Sequence, residues 1–222
     1  MAQQLQDHVE YSFLEIHRIK FISQIYDIDQ NQVYDSLKVS IRKAPKASLP
    51  VMHLLEAFLL TNYYQSNRWE IDKKLDDGLD NQLLEERSCH DFVERVTSCI
   101  DSAALYSKNF QHDLNTYKDF YIGTSTKFEQ LIDQIYFQGI ALISKFEKDR
   151  YDLDQAQYHE IQFVKSPSTL VTKMLKWYSD WHTVRENSLE IQGFIELNRA
   201  ERWPATPRAA EMARHTAVAL RP

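Results

Sequence analysis

The chain has 222 residues, a formal net charge of −6, 43% hydrophobic and 12% aromatic residues, and only 4 Gly and 6 Pro. So many large apolar side chains exclude a disordered chain, and so few turn formers exclude a sandwich or barrel, which needs a turn roughly every ten residues. An acidic chain with no RNP motif, finger spacing or basic helix excludes nucleic acid as the main partner, because backbone contacts need a basic surface.

Residues 4–26 read as a first helix, with Val9, Phe13, Leu14, Ile16, Phe21 and Ile25 recurring at helical spacing. Asp29, with Gln32 three positions on, predicts a capped second helix that turns Val33, Leu37 and Ile41 inward. The loop 43–50 ends in Ser48 and Pro50, an N-cap and first-turn pair for a third helix carrying Leu54, Leu55, Phe58, Leu59 and Tyr63 towards Asp77-Gly78.

Residues 79–122 hold neither Gly nor Pro, and apolar residues from Leu83 to Tyr121 recur at steps of three and four. A continuous helix there would reach roughly 60 Å. After Gly123, Thr126 and Glu129 form a capping-box pattern that opens a helix with Phe128, Leu131, Ile135, Leu142, Phe146 and Leu153 on one face. Ser166-Pro167 precedes a last helix marked by Leu170, Met174, Trp177, Trp181, Val184, Ile191 and Ile195. The expectation is an all-α protein: an antiparallel bundle of about six helices, the last three long, over a single domain of residues 1–198.

Residues 199–222 differ in kind. Five Arg against two Glu make this segment basic, with seven Ala and no Lys, Phe or Tyr, while the remainder holds 21 basic and 30 acidic residues. It is expected to be an irregular tail: an appended segment, an ordinary solvated tail or a basic arm for phosphate. Cys89 and Cys99, ten positions apart, fit neither a redox pair nor a zinc knuckle and are expected to be reduced thiols in or near the core. The N-terminus lacks the basic start and apolar stretch of a signal peptide, and the apolar run 134–144 is too short to span a bilayer, so the expected location is cytoplasmic.

Of the metal-like patterns, Glu86, His90 and Glu94 stand at steps of four, which on one helix gives a single face of carboxylate and imidazole suited to zinc or a carboxylate-bridged centre. His53 and Glu56 share a face of the third helix, as do Glu10 and His17, but eight His among thirty-two acids produce such pairs by chance. Trp177, Tyr178 and Trp181 form an aromatic stripe that either packs the core or lines a ligand pocket. No nucleophile elbow, HExxH, phosphate-binding loop or dinucleotide fingerprint occurs, so no enzyme class and no cofactor is expected.

The segment SKFEKDRYDLDQAQ (144–157) resembles the second long helix of crescent-shaped membrane-binding BAR domains over about fourteen residues. The resemblance implies a membrane-surface module with a basic concave face, whereas residues 105–176 balance nine basic against nine acidic residues. The expected function is a non-enzymatic helical interaction or scaffold protein, a dimeric adaptor with coiled-coil-like helices and a protein partner. A compact bundle holding a small ligand or metal is the alternative, and a BAR-like module the second.

Overall fold

The computed structural model describes residues 2–24, 29–74, 83–109, 128–146 and 169–202. Every regular element among them is helical, as the scarcity of turn formers requires. The seven α-helices are α1 (Ala2–Gln24), α2 (Gln30–Lys43), α3 (Leu49–Ile71), α4 (Cys89–Asn109), α5 (Leu131–Ile143), α6 (Thr169–Val184) and α7 (Leu189–Arg202). Short 3₁₀ turns occupy Lys46–Ser48, Leu84–Glu86 and Ser144–Phe146. Among these described residues no helix is long and apolar enough to cross a membrane.

By its contacts the chain divides into two compact units, Met1–Phe146 and Glu147–Pro222, where the sequence suggests one domain over 1–198. In the first unit α3 is central, touching α1, α2, α4 and α5. Ile19, Val33, Leu37 and Met52 knit α1, α2 and α3 into one apolar cluster. Polar clamps fix the α1–α2 pairing: Arg18 of α1 donates to Ser36 at 2.7 Å and to Ser40 at 2.6 Å, and the Ser40 hydroxyl donates to Glu15 at 2.7 Å.

Several ends follow from local chemistry. Asp29 caps α2 as expected, although its carboxylate accepts from the Asn31 backbone N–H at 3.0 Å. Ser48 stands before α3 but makes no cap bond there; its hydroxyl donates to the His8 carbonyl at 3.0 Å, tying α3 to α1.

The helix expected over 79–122 does not form as one piece. Arg87 and Ser88 are not helical, and α4 starts only at Cys89. Ser88 and Asp91 make a reciprocal capping box: the Ser88 N–H donates to Asp91 Oδ2 at 2.7 Å, and the Ser88 hydroxyl accepts from the Asp91 N–H at 3.3 Å. Upstream, Asn31 of α2 holds the 3₁₀ turn, accepting from the Leu84 N–H at 2.8 Å and donating to Glu85 at 2.6 Å. Residues 110–127 and 147–168, which carry Thr126, Leu153 and most of the BAR-like segment, lie outside the described residues.

The expected single last helix is two, α6 and α7, broken at Arg185–Ser188. The Gln192 side chain stabilises the break by donating to the Glu186 carbonyl at 2.9 Å. Among the described residues the longest helices are α1 and α3, at 23 residues each; the expected length of the last three helices falls in large part on residues 110–127 and 147–168, outside the described set. Helix α7 runs on to Arg202, so the basic segment begins inside a helix; residues 203–222 are outside the described set.

Helices α4 and α5 meet closely where Gly139 faces Ile100. A Cβ at 139 would lie 2.6 Å from Ile100 Cγ2, a side chain with no exposed surface. Gly139→Ala gains up to about 1 kcal/mol of helix propensity but overpacks this crossing at about 1–3 kcal/mol. A net loss of up to about 2 kcal/mol is expected in urea unfolding, and a raised midpoint would mean that the helices can separate at no cost.

Candidate functional site

The first unit buries a strongly polar cluster where α2, α3 and α4 meet. At its centre is Glu56 of α3, whose side chain is 0% exposed. A carboxylate survives there only if charge and hydrogen bonds replace water. Arg95 of α4 supplies both, its guanidinium donating twice to Oε1 at 2.6 and 2.9 Å. The Tyr34 hydroxyl of α2 donates to the same oxygen at 3.1 Å.

The other oxygen, Oε2, is differently placed. His53, one turn earlier on α3, points Nδ1 at it from 3.6 Å, just beyond hydrogen-bond reach, and both atoms are buried without a hydrogen-bond partner. The Tyr106 ring of α4 stacks on the imidazole at 5.9 Å and 8°. Cys99, one turn after Arg95, completes the group: one ligand atom each from His53, Glu56 and Cys99 lie within 4.8 Å of one another.

The electrostatics follow from burial against charge. Burial pushes the Glu56 carboxyl up, but its polar neighbour His53 and the Arg95 charge and hydrogen bonds outweigh this and hold it at about 2. Burial works against the Arg95 charge in turn, and Glu56 overrides it, so the guanidinium stays firmly protonated. Burial, reinforced by the Glu56 charge, pushes the Cys99 thiol well above the ordinary thiol range. Near neutral pH the cluster therefore contains a fixed carboxylate and a neutral thiol. Neither is tuned for acid–base or nucleophilic work, which needs a carboxyl raised towards 7 or a thiol lowered towards it.

The residues singled out by sequence fall elsewhere. Glu86 ends a 3₁₀ turn, while His90 and Glu94 belong to α4, and all three are exposed. Because the chain leaves helical geometry at Arg87 and Ser88, the steps of four do not place Glu86 on the same helical face as the other two. Trp177, Tyr178 and Trp181 are buried in α6, where Tyr178 donates to Asn198 Oδ1 at 2.6 Å and Trp181 meets Phe194 edge-on at 6.1 Å. These contacts join α6 to α7. Glu10 and His17 are exposed on α1, and His17 meets the Phe13 ring at 4.3 Å.

His53 and Glu56 are the pair that sequence reasoning set aside as coincidence. Their i, i+3 spacing is legible, but Cys99 and Arg95 join them only through the α3–α4 packing. No protein-family model matches this chain, and neither a curated protein nor a solved structure matches it.

Proposed function

We propose that this protein is a non-enzymatic helical interaction module that self-associates through the outer face of α1. One observation carries this reading. Leu14 and Phe21, seven residues apart and therefore on one helical face, are 65% and 66% exposed. The opposite face of α1 is already used, with Ile19 buried against α2 and α3. Two exposed apolar side chains two turns apart, with His17 between them, on a helix whose other side is in the core make a surface suited to another helix.

The occupant is a second copy of this chain. Glu10 is exposed on the same outer face, whereas Lys20 is exposed about 100° round the helix from Phe21. An antiparallel copy sets Leu14 against the other chain's Phe21 and Phe21 against its Leu14, the self-complementarity of a two-fold contact. The Glu56 cluster, with its carboxylate held ionised and its thiol held neutral, supports the non-enzymatic part of the reading. The bundle-like packing of α1–α5 supports a rigid platform for presenting α1. Exposed Trp69, Leu105 and Leu189 offer further apolar points for a protein partner.

Light scattering on the full chain and on the double variant Leu14→Glu/Phe21→Glu tests this. The expected result is a wild-type molar mass twice that of one chain, and a monomeric variant with unchanged helical circular dichroism. A wild-type monomer at every concentration, or a variant that keeps the doubled mass, would remove the proposal.

A further inference from the structure

We infer that His53, Glu56 and Cys99 form a binding site for a single divalent transition-metal ion of the zinc class. The three donors, imidazole nitrogen, carboxylate oxygen and cysteine sulfur, are those that zinc and cobalt(II) take in proteins. They come from two packed helices, and their ligand atoms already lie within 4.8 Å of one another.

The hydrogen-bond pattern separates a metal site from a buried ion pair. Every bond to Glu56 from Arg95 and Tyr34 falls on Oε1. Oε2 and His53 Nδ1, both buried and both without a hydrogen-bond partner, face each other at 3.6 Å. Two ligands about 2.1 Å from a tetrahedral ion are separated by about 3.4 Å, so the observed gap is that of two corners of one coordination shell. At 3.6 Å the two atoms are too far apart for a direct hydrogen bond, and a cation shared between them would satisfy both.

The surroundings are those of a metal ligand set. Tyr34 and Arg95 hold the carboxylate by Oε1, while His53 faces Oε2, as outer partners hold ligating carboxylates. Tyr106 fixes the plane of the imidazole. Charge also balances. A divalent ion with one carboxylate and one thiolate is neutral, and the remaining positive charge, Arg95, has a side chain 42% exposed to water. Binding breaks the Cys99 S–H bond, forms a sulfur–metal bond and releases one proton to solvent. The His53 side chain is 15% exposed, although its Nδ1 is itself buried. Three protein ligands leave a fourth position for water.

Cobalt(II) added to the metal-free, reduced full chain is the probe. The expected result is one cobalt per chain with a thiolate-to-cobalt charge-transfer band, displaced by zinc. The band is lost in Cys99→Ser and the affinity falls at least tenfold in His53→Ala, while Cys89→Ser and His90→Ala bind as the wild type does. Should either loss variant fail to fold, alkylation of the wild-type chain decides: zinc must slow modification of Cys99 and leave Cys89 unchanged. No uptake, a band that survives Cys99→Ser, or a band lost in Cys89→Ser overturns the assignment.

Discussion

Replacing Arg95 by Met is expected to destabilise the protein by about 3–5 kcal/mol at pH 7, because the member left behind is the fully buried one. Glu56 has no exposed surface and would keep its charge without a countercharge. The converse change, Glu56→Gln, leaves a guanidinium that already reaches solvent, and a smaller loss of up to about 3 kcal/mol is expected. The double variant should cost clearly less than the two single changes summed, since removing both charges removes the uncompensated one.

The pH profiles should also differ in sign. In the wild type the Glu56 pKa lies at about 2, below the 4.5 of an ordinary glutamate. Its stabilising contribution of about 3 kcal/mol is therefore complete above the unfolded value and is lost as pH falls from there towards 2. Without Arg95, burial dominates and the carboxyl moves up. The Arg95→Met variant should then gain stability as pH falls from 7 to 5, through protonation of Glu56. Urea midpoints measured with a chelator present decide this. An Arg95→Met change that costs less than about 1 kcal/mol, or that leaves the wild-type pH profile in place, would show that the pair is not coupled.

Replacing Trp181 by Ala is expected to cost about 3–5 kcal/mol, the range for emptying a large buried aromatic site. Trp181 is fully buried and meets Phe194, so the loss falls on the packing of α6 against α7. Thermal unfolding should shift accordingly. A change below about 1 kcal/mol would mean that the ring is dispensable, as a side chain lining an adaptable pocket could be and a packed core side chain could not.

Helix existence was legible in the sequence because it rests on local periodicity. The positions of Asp29 and Ser48 at helix starts rest on local chemistry too. What escaped was decided at longer range. The break at Arg87–Ser88 depends partly on Ser88 and Asp91, a capping box open to reading, and partly on Asn31, more than fifty residues away, which holds Leu84 and Glu85. On α3 the expected face of Leu54, Leu55, Phe58, Leu59 and Tyr63 is displaced. The buried positions include Leu54, Ala57, Leu60, Thr61 and Tyr64, because α3 packs on four helices at once and a helix apolar nearly all round carries little directional signal. The same central place buries Glu56. A carboxylate in that position reads as surface until Arg95 and Tyr34, from two other helices, are brought to it.

The measurement that bears most directly on self-association is disulfide trapping at the α1 stripe. With Cys89 changed to Ser, a cysteine replaces either His17, near the middle of the exposed face, or Glu10, near its end. Antiparallel pairing of Leu14 with the other chain's Phe21 brings the two copies of position 17 together and keeps the two copies of position 10 apart. Mild oxidation should therefore give a covalent dimer from His17→Cys and none from Glu10→Cys. Efficient trapping at position 10, or none at position 17, would contradict the proposed association.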